Sequence, residues 1–343
     1  MEHPEQQYLN LLREVKTHGS TKEDYSSKGK RTIKSVFGKQ SRYDLSDETL
    51  PLLTTKKVFF KGIVHELVWF LRGETNIKYL ADNNVHIWDD WPYKEYKKAI
   101  DAKTEEPLNQ KEFIEKIKGL SADDPFVTKW GELGPIYGRQ WRKWKAGDGR
   151  EIDQLKWALW KVQKYPDRKH ALVSAWNPEF IYEMSTPGTS MAIPPCHTLF
   201  HLNSSDEKLS LLLYQRSCDS FLGVPFNIAS YSMLTVALAQ LSGLKPGEFI
   251  HTYGDFHIYD NHFDQVEEQI SRDPRPFPKF RFNPDRTSLD EIVFEDFQIE
   301  DYKSHPAIKA DITVVGGFDE KDREEIQKKS DLLTRDQALR KSK

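Results

Sequence analysis

Pro194-Pro195-Cys196-His197 opens the decisive stretch, which runs on through a strand-like segment to Leu213-Tyr214-Gln215-Arg216-Ser217-Cys218-Asp219-Ser220-Phe221-Leu222-Gly223-Val224-Pro225-Phe226-Asn227-Ile228-Ala229-Ser230-Tyr231. It holds both cysteines of the chain, a histidine beside one of them, and an arginine, an aspartate and an asparagine among apolar residues. Two prolines stiffen the approach to Cys196, and Asn227 to Leu244 predicts a long apolar helix. A lone cysteine is more often an inert buried residue than a nucleophile. Here His197 is adjacent, and Arg216 lies on the next strand, where it can reach across and lower a thiol pKa. Cys218 has neighbours of similar kind, so these residues alone leave both thiols open as the nucleophile.

Outward from this stretch, composition narrows the class. The chain has 343 residues, 38% of them hydrophobic, enough for one large domain or two ordinary ones. Its 50 basic and 53 acidic residues are interspersed, for a net charge of −3, and no basic stripe suggests a nucleic-acid surface. Two cysteines make no disulfide framework, and no Cys/His spacing suits a metal. Met1-Glu2-His3-Pro4-Glu5 is not a signal peptide. Val58 to Leu71 contains Lys61, His65 and Glu66 and is too short to span a bilayer. These features predict a soluble cytoplasmic protein with no DNA or membrane partner.

Residues 5–18 carry Tyr8, Leu11, Leu12 and Val15 at helical spacing, stopped by Gly19. Ser20 to Lys30 reads as a polar loop whose cations could meet an anion. Short strands are predicted around Thr32–Phe37, Arg42–Leu45 and Leu50–Thr55. Val58–Leu71 reads as a mostly buried helix. Taken alone, Glu66 belongs on its wet face, because burying an unpaired carboxylate is costly. Pro92 to Trp130 is polar and lysine-rich, an insertion on one side of the core with a weak helical signal near Lys111–Ile117. Gly131 to Arg142 reads as a glycine-punctuated loop. Ile152–Lys164 is a helix and Ala171–Trp176 a buried strand. Phe249–His257 is a strand, His262–Ser271 a helix, and Lys279–Phe282 and Phe294–Ile299 outer strands. Residues 1–315 form one catalytic domain on this reading, and the charge-dense 316–343 a C-terminal extension.

The Pro194–Tyr231 stretch resembles the active-site core of the thymidylate synthase family, and the likeness covers roughly residues 5 to 314. It implies an α/β fold, a twisted mixed sheet with flanking helices, paired sheet-to-sheet in a homodimer. It implies reductive methylation of deoxyuridylate (dUMP) with 5,10-methylenetetrahydrofolate as co-substrate and no metal. Cys196 matches the nucleophile that adds to C6 of the pyrimidine, with His197 beside it. Gln215, Arg216, Ser217 and Asp219 match a segment in which the arginine supports thiolate and phosphate, the serine binds phosphate and the aspartate meets the folate pterin. Asn227 matches the residue that reads the uracil edge, although a helix N-cap would also explain an asparagine there. His257 and Tyr259 match the pair that binds the deoxyribose 3′-hydroxyl. Glu66 resembles the glutamate that assists proton transfers, which reverses the wet-face reading, and a raised pKa suits that role. Trp88 and Tyr137 match residues beside the folate and the proton-abstraction site, and Gly223 falls in the folate-binding run.

Three segments depart from the family. Its N-terminal phosphate arginine corresponds here to Lys28, Tyr25 or Arg31, depending on how Asp24 to Thr32 is aligned. Its pair of cross-dimer arginines becomes Lys169-His170, which lacks the bidentate fork. The chain also runs beyond Ile308-Lys309-Ala310 to Lys343, where family members end and fold a free carboxylate over the folate, so closure and water exclusion differ. A pyrimidine nucleotide 5-hydroxymethylase (acting on a dUMP-, CMP- or dCMP-type nucleotide), with water in place of hydride, is therefore the runner-up. A catalytically inactive nucleotide-binding paralogue comes third, opposed by the joint presence of Cys196, Glu66, Arg216, Asn227, His257 and Tyr259.

Overall fold

A computed structural model describes residues 2–26, 29–100, 106–181, 185 and 189–313, the side chains of 25, 26, 29 and 30 excepted. Helix α1 (Gln6–His18) buries Tyr8, Leu9, Leu11, Leu12 and Val15, as its spacing predicts, and ends at Gly19. The next segment overturns the loop prediction. Ser20–Ser26 forms strand β1, which pairs antiparallel with β2 (Gly29–Asp44) from Ser20↔Ser35 to Ser26↔Gly29. β1 is an edge strand, polar on both sides, so it carries no hydrophobic alternation from which to predict it. β2 joins what reads as two short strands and bends at Gly38, whose φ of 73° suits glycine.

Leu50–Thr55 is not a strand. Leu50, Leu52 and Leu53 are buried, and the backbone and hydroxyl groups of Thr54 and Thr55 all donate to the buried Glu5 carboxylate at 2.6–2.9 Å. Four charge-assisted bonds fix this segment without a neighbouring strand. Helix α2 (Phe60–Leu71) follows, buried on nearly every side, Glu66 included.

The insertion is helical. After α3 (Lys78–Asp82) come α4 (Asp90–Ala99), α5 (Gln110–Gly119) and α6 (Pro125–Trp130). Tyr96 is its hub, with Phe113, Phe126 and Trp130 all within 5.8 Å ring to ring. The Gly131–Arg142 segment contains a short helix, α7 (Tyr137–Arg142), rather than loop throughout. Gly138 is required there: a Cβ would lie 2.6 Å from the carbonyl oxygen of Phe70, so α7 packs backbone-close on α2.

A β3–β4 hairpin (Trp144–Lys145, Glu151–Ile152) leads into α8 (Gln154–Lys164). Strands β5 (Leu172–Ser174), β6 (His197–Ser205), β7 (Lys208–Asp219) and β8 (Lys245–Tyr259) complete the sheet in the order β1-β2-β8-β7-β6-β5. Only β7 and β8 run parallel among the described pairs, joined by α9 (Gly223–Ser242). α9 is long and apolar enough to cross a bilayer, yet 83% of that apolar window is buried, as in a core helix. β5 is an edge strand with Leu172 exposed, not the buried strand predicted. Helix α10 (Phe263–Ile270) and the β9–β10 pair (Lys279–Phe282, Phe297–Glu300) finish the described chain. The sheet face away from α9 presents Leu199, His201, Leu212, Tyr214, Ile250 and Thr252, all half-buried in the single chain.

Candidate active site

β6 begins at His197, so the two prolines deliver Cys196 to the end of a strand directly beside β7. The Arg216 N–H donates to the Cys196 carbonyl at 2.9 Å. The guanidinium folds back over this corner: Nε donates to Pro195 O at 3.0 Å and Nη2 to Pro194 O at 2.7 Å. The Trp176 ring lies 5.5 Å from its Cζ. A fixed cation therefore stands next to the thiol. Burial still pushes the half-buried Cys196 thiol above its usual pKa, and Arg216, Tyr137 and Ser217 oppose this only in part. This corrects the expectation that the cation leaves the thiol acidified.

The structure separates the two cysteines. Cys218 is fully buried, its Sγ directed at Gln215 O at 3.3 Å, and its thiol is pushed well above the usual range by burial. It has no route to a ligand. His197, expected to assist Cys196, is lowered by burial to a pKa of about 4, against a smaller opposing effect of Asn227. It is a neutral ring at pH 7, packed between Tyr137 and Tyr231 at 5.0 and 5.4 Å.

Tyr137 joins Cys196 to the second half of the site. Its hydroxyl accepts the Cys196 N–H at 2.8 Å, and burial holds its pKa well above the usual value, so it stays protonated with its hydrogen to donate. Its ring lies 5.9 Å from Trp88, whose Nε1–H donates to Glu66 Oε1 at 2.8 Å. Glu66 is 7% exposed, and burial raises it from 4.5 to about 7, so the carboxyl both gives and takes a proton near neutral pH. The wet-face reading of Glu66 fails because α2 has no wet face there.

Ligand-facing groups converge from β7, α9 and β8. Across the parallel pair, Ser217 lies opposite Asp255 and Asp219 opposite His257. Asp219 Oδ1 accepts the N–H groups of Phe221 and Leu222 at 3.1 Å each, which fixes the carboxylate. Asn227 is inside α9, not its N-cap, which is Leu222. Asn227 Oδ1 and His257 Nε2 are buried with no hydrogen-bond partner in the protein. Such orphans ask for a polar ligand. Gly223 leaves room beside them: a Cβ there would sit 3.6 Å from Asp219 Cβ and 3.8 Å from Asn227 Oδ1. Apolar walls, unpartnered polar atoms and a fixed carboxylate suit a flat polar ligand.

Other expected ligands stand apart. Gln215 has its amide satisfied internally, Oε1 by His251 at 2.8 Å and Nε2 on Ser217 O at 3.1 Å, so it supports Ser217 rather than facing a ligand. Arg31 pairs with Asp260 at 3.2 Å. Lys169 lies exposed between α8 and β5, outside this cluster, and Lys28 falls outside the described residues. The sequence reading missed Lys56. It is 5% exposed, donates to Phe221 O and covers the Phe221 ring at 3.4 Å. Burial lowers it to about 7, partly opposed by Asp219. Its position in Thr54-Thr55-Lys56-Lys57, four residues ahead of the first residue of α2, gives no periodic signal. Among the described residues no cluster of His, Cys, Asp or Glu could hold a metal.

An aromatic-walled site with a half-buried thiol beside a fixed arginine and a glutamate raised to about 7 suits group transfer. The family model for thymidylate synthase matches residues 6–314, and the chain belongs to that family, the folate-dependent methyltransferases that form thymidylate from deoxyuridylate. A thymidylate synthase of Mycoplasma mobile is 50% identical over 309 residues, which is 90% of this chain and all of that protein.

Proposed function

We propose that this chain methylates dUMP with 5,10-methylenetetrahydrofolate through covalent catalysis at Cys196. The carrying observation is the clustering of Glu66, Trp88, Tyr137, Cys196 and Arg216, through one side-chain bond, one ring contact and two main-chain bonds at Cys196, which brings a proton-transfer group and a thiol into one site. Cys196 adds to C6 of the uracil, and Arg216 stabilises the thiolate that burial disfavours. Asn227 pairs with the O4/N3–H edge, and its amide accepts one bond and donates the other. Glu66, through its proton, assists charge development at O4. Tyr137 and Trp88 close the site against water, with His197 as a neutral wall. The folate co-substrate supplies the one-carbon unit and the hydride. Asp219, Trp88 and Gly223 form its side of the pocket. Ser217 and Arg216 take the 5′-phosphate, and His257 and Tyr259 the 3′-hydroxyl.

The remaining phosphate charge is assigned to Lys169 of a second copy, together with Lys28 or Arg31. Arg31 would have to share or leave Asp260. The half-buried sheet face of β6, β7 and β8 supports a homodimer, since it is the one large face of the sheet with no covering layer in the described chain.

Incubation with dUMP and methylenetetrahydrofolate tests the proposal, following dihydrofolate absorbance and identifying the nucleotide by mass. Thymidylate with one dihydrofolate per nucleotide is the expected result. Hydroxymethyl nucleotide without dihydrofolate would establish the hydroxymethylase instead.

A further inference from the structure

Among the described residues nine large hydrophobic side chains stand exposed, and five of them lie between Ile152 and Leu172. Helix α8 buries Leu155, Ala158, Leu159 and Val162 and packs in the layer of α9. At 3.6 residues per turn its opposite side carries Trp157, Trp160, Lys161 and Lys164. Trp157 is 39% exposed, Trp160 45%, and Tyr165, just past the helix, 48%. Trp160 and Tyr165 meet edge to face at 5.5 Å, and Lys161 Nζ lies 4.8 Å from the Tyr165 ring and 5.7 Å from the Trp160 ring. Trp157 rests 5.8 Å from the His170 ring. The three rings are braced by near neighbours, yet no described part of the chain covers them.

The charge around the rings has one sign. From Gln154 to His170 the chain carries five Lys and Arg residues and one acid, Asp167, within a protein whose net charge is −3. Lys156 pairs with Asp290. Among the described residues Lys161, Lys164, Arg168 and Lys169 have no ion-pair partner. Apart from Lys169, the reaction proposed above uses none of these groups.

We propose that the outward face of α8 and the turn leading to His170 dock on an anionic lipid surface. Charge complementarity calls for an acidic partner, and the residue types select among acidic partners. Lysine is depleted in protein–protein interfaces. Trp, Tyr and Lys together are the set that gathers where a bilayer meets water. The convex side of a helix also offers no groove to track a nucleic-acid strand. On this reading the rings sit at headgroup level and the cations meet the anionic headgroups. Such a peripheral contact needs no spanning helix, and it goes against the sequence expectation of no membrane partner. Because α8 lies in the layer of α9, a homodimer formed through the uncovered sheet face leaves it free.

The test mixes the full chain with vesicles of phosphatidylcholine alone or with roughly one-third phosphatidylserine, and measures bound protein by co-sedimentation. The expected result is capture by the anionic vesicles only, with affinity falling at least about tenfold as salt rises from about 0.05 M to about 0.5 M. Two double variants, Trp157→Ala with Trp160→Ala and Lys161→Glu with Lys164→Glu, should each weaken capture about tenfold or more. Both should melt like the parent, since the altered tryptophans are exposed and the lysines carry no ion pair. The salt titration of the parent keeps the test decisive if either variant melts early. No capture, equal capture by neutral vesicles, or capture that neither variant weakens overturns the proposal. Preference for a single-stranded oligonucleotide over the anionic vesicles, lost in the same variants, also overturns it and gives the face to nucleic acid.

Discussion

The corner around Cys196 and the β1–β2 hairpin both carry dense charge, and they use it in opposite ways. At the corner Glu66, Lys56 and Cys196 are deprived of water, and burial moves each pKa toward its neutral form. Along the hairpin Lys22 and Arg31 stay partly in solvent and pair with Asp255 and Asp260. Desolvated groups can exchange protons near pH 7, whereas solvated pairs serve as fixed struts. On the proposed mechanism, chemistry belongs to the first region.

The largest effect separates the two thiols. Cys196→Ser should lower kcat by about a thousandfold or more, while Cys218→Ser should keep turnover within about threefold of the parent. Equal loss in both would remove the distinction drawn from their burial. Glu66→Gln comes next, lowering kcat by about a hundredfold. It also has a stability signature of definite sign. The folded pKa of about 7 lies above the ordinary 4.5, so the folded protein binds the proton more tightly than the unfolded chain. The stability penalty is absent below pH 4.5, grows as pH rises and is complete above 7, on the order of 3 kcal/mol. Thermal melts of Glu66→Gln should therefore lie above the parent at pH 8 and converge with it towards pH 4.5. A constant offset at both pH values would mean that Glu66 is already ionised and paired.

Smaller effects are expected from the solvated charges. Lys169→Ala should raise the KM for dUMP about tenfold with kcat preserved, the order for one charge-assisted contact. Unchanged KM would place the phosphate elsewhere. Arg31→Ala should cost only a few tenths of a kcal/mol, since both partners of its ion pair are about one-third exposed.

The same contrast explains what was legible in the sequence. Buried elements announce themselves through apolar spacing: α1, α2, α8, α9 and β8 fall close to their predicted places. β1 is solvated on both faces, and α7 starts within a glycine-rich run, so neither leaves a periodic mark. Glu66 in an apolar helix was an anomaly that the residues alone assigned to solvent and the family resemblance corrected. The choice between Cys196 and Cys218 likewise needed resemblance, because their burial differs only in the folded chain. Lys22 and Asp255 are 233 residues apart, and nothing local to either predicts the pair. Lys56 is a similar case, since its partner Phe221 lies 165 positions away.

The most direct test of the covalent account is rapid acid quench of enzyme turning over dUMP and methylenetetrahydrofolate, followed by peptide mass mapping. The account predicts a nucleotide adduct on the peptide carrying Cys196, absent in Cys196→Ser and retained in Cys218→Ser. An adduct on the Cys218 peptide, or full turnover by Cys196→Ser with no adduct anywhere, would contradict it.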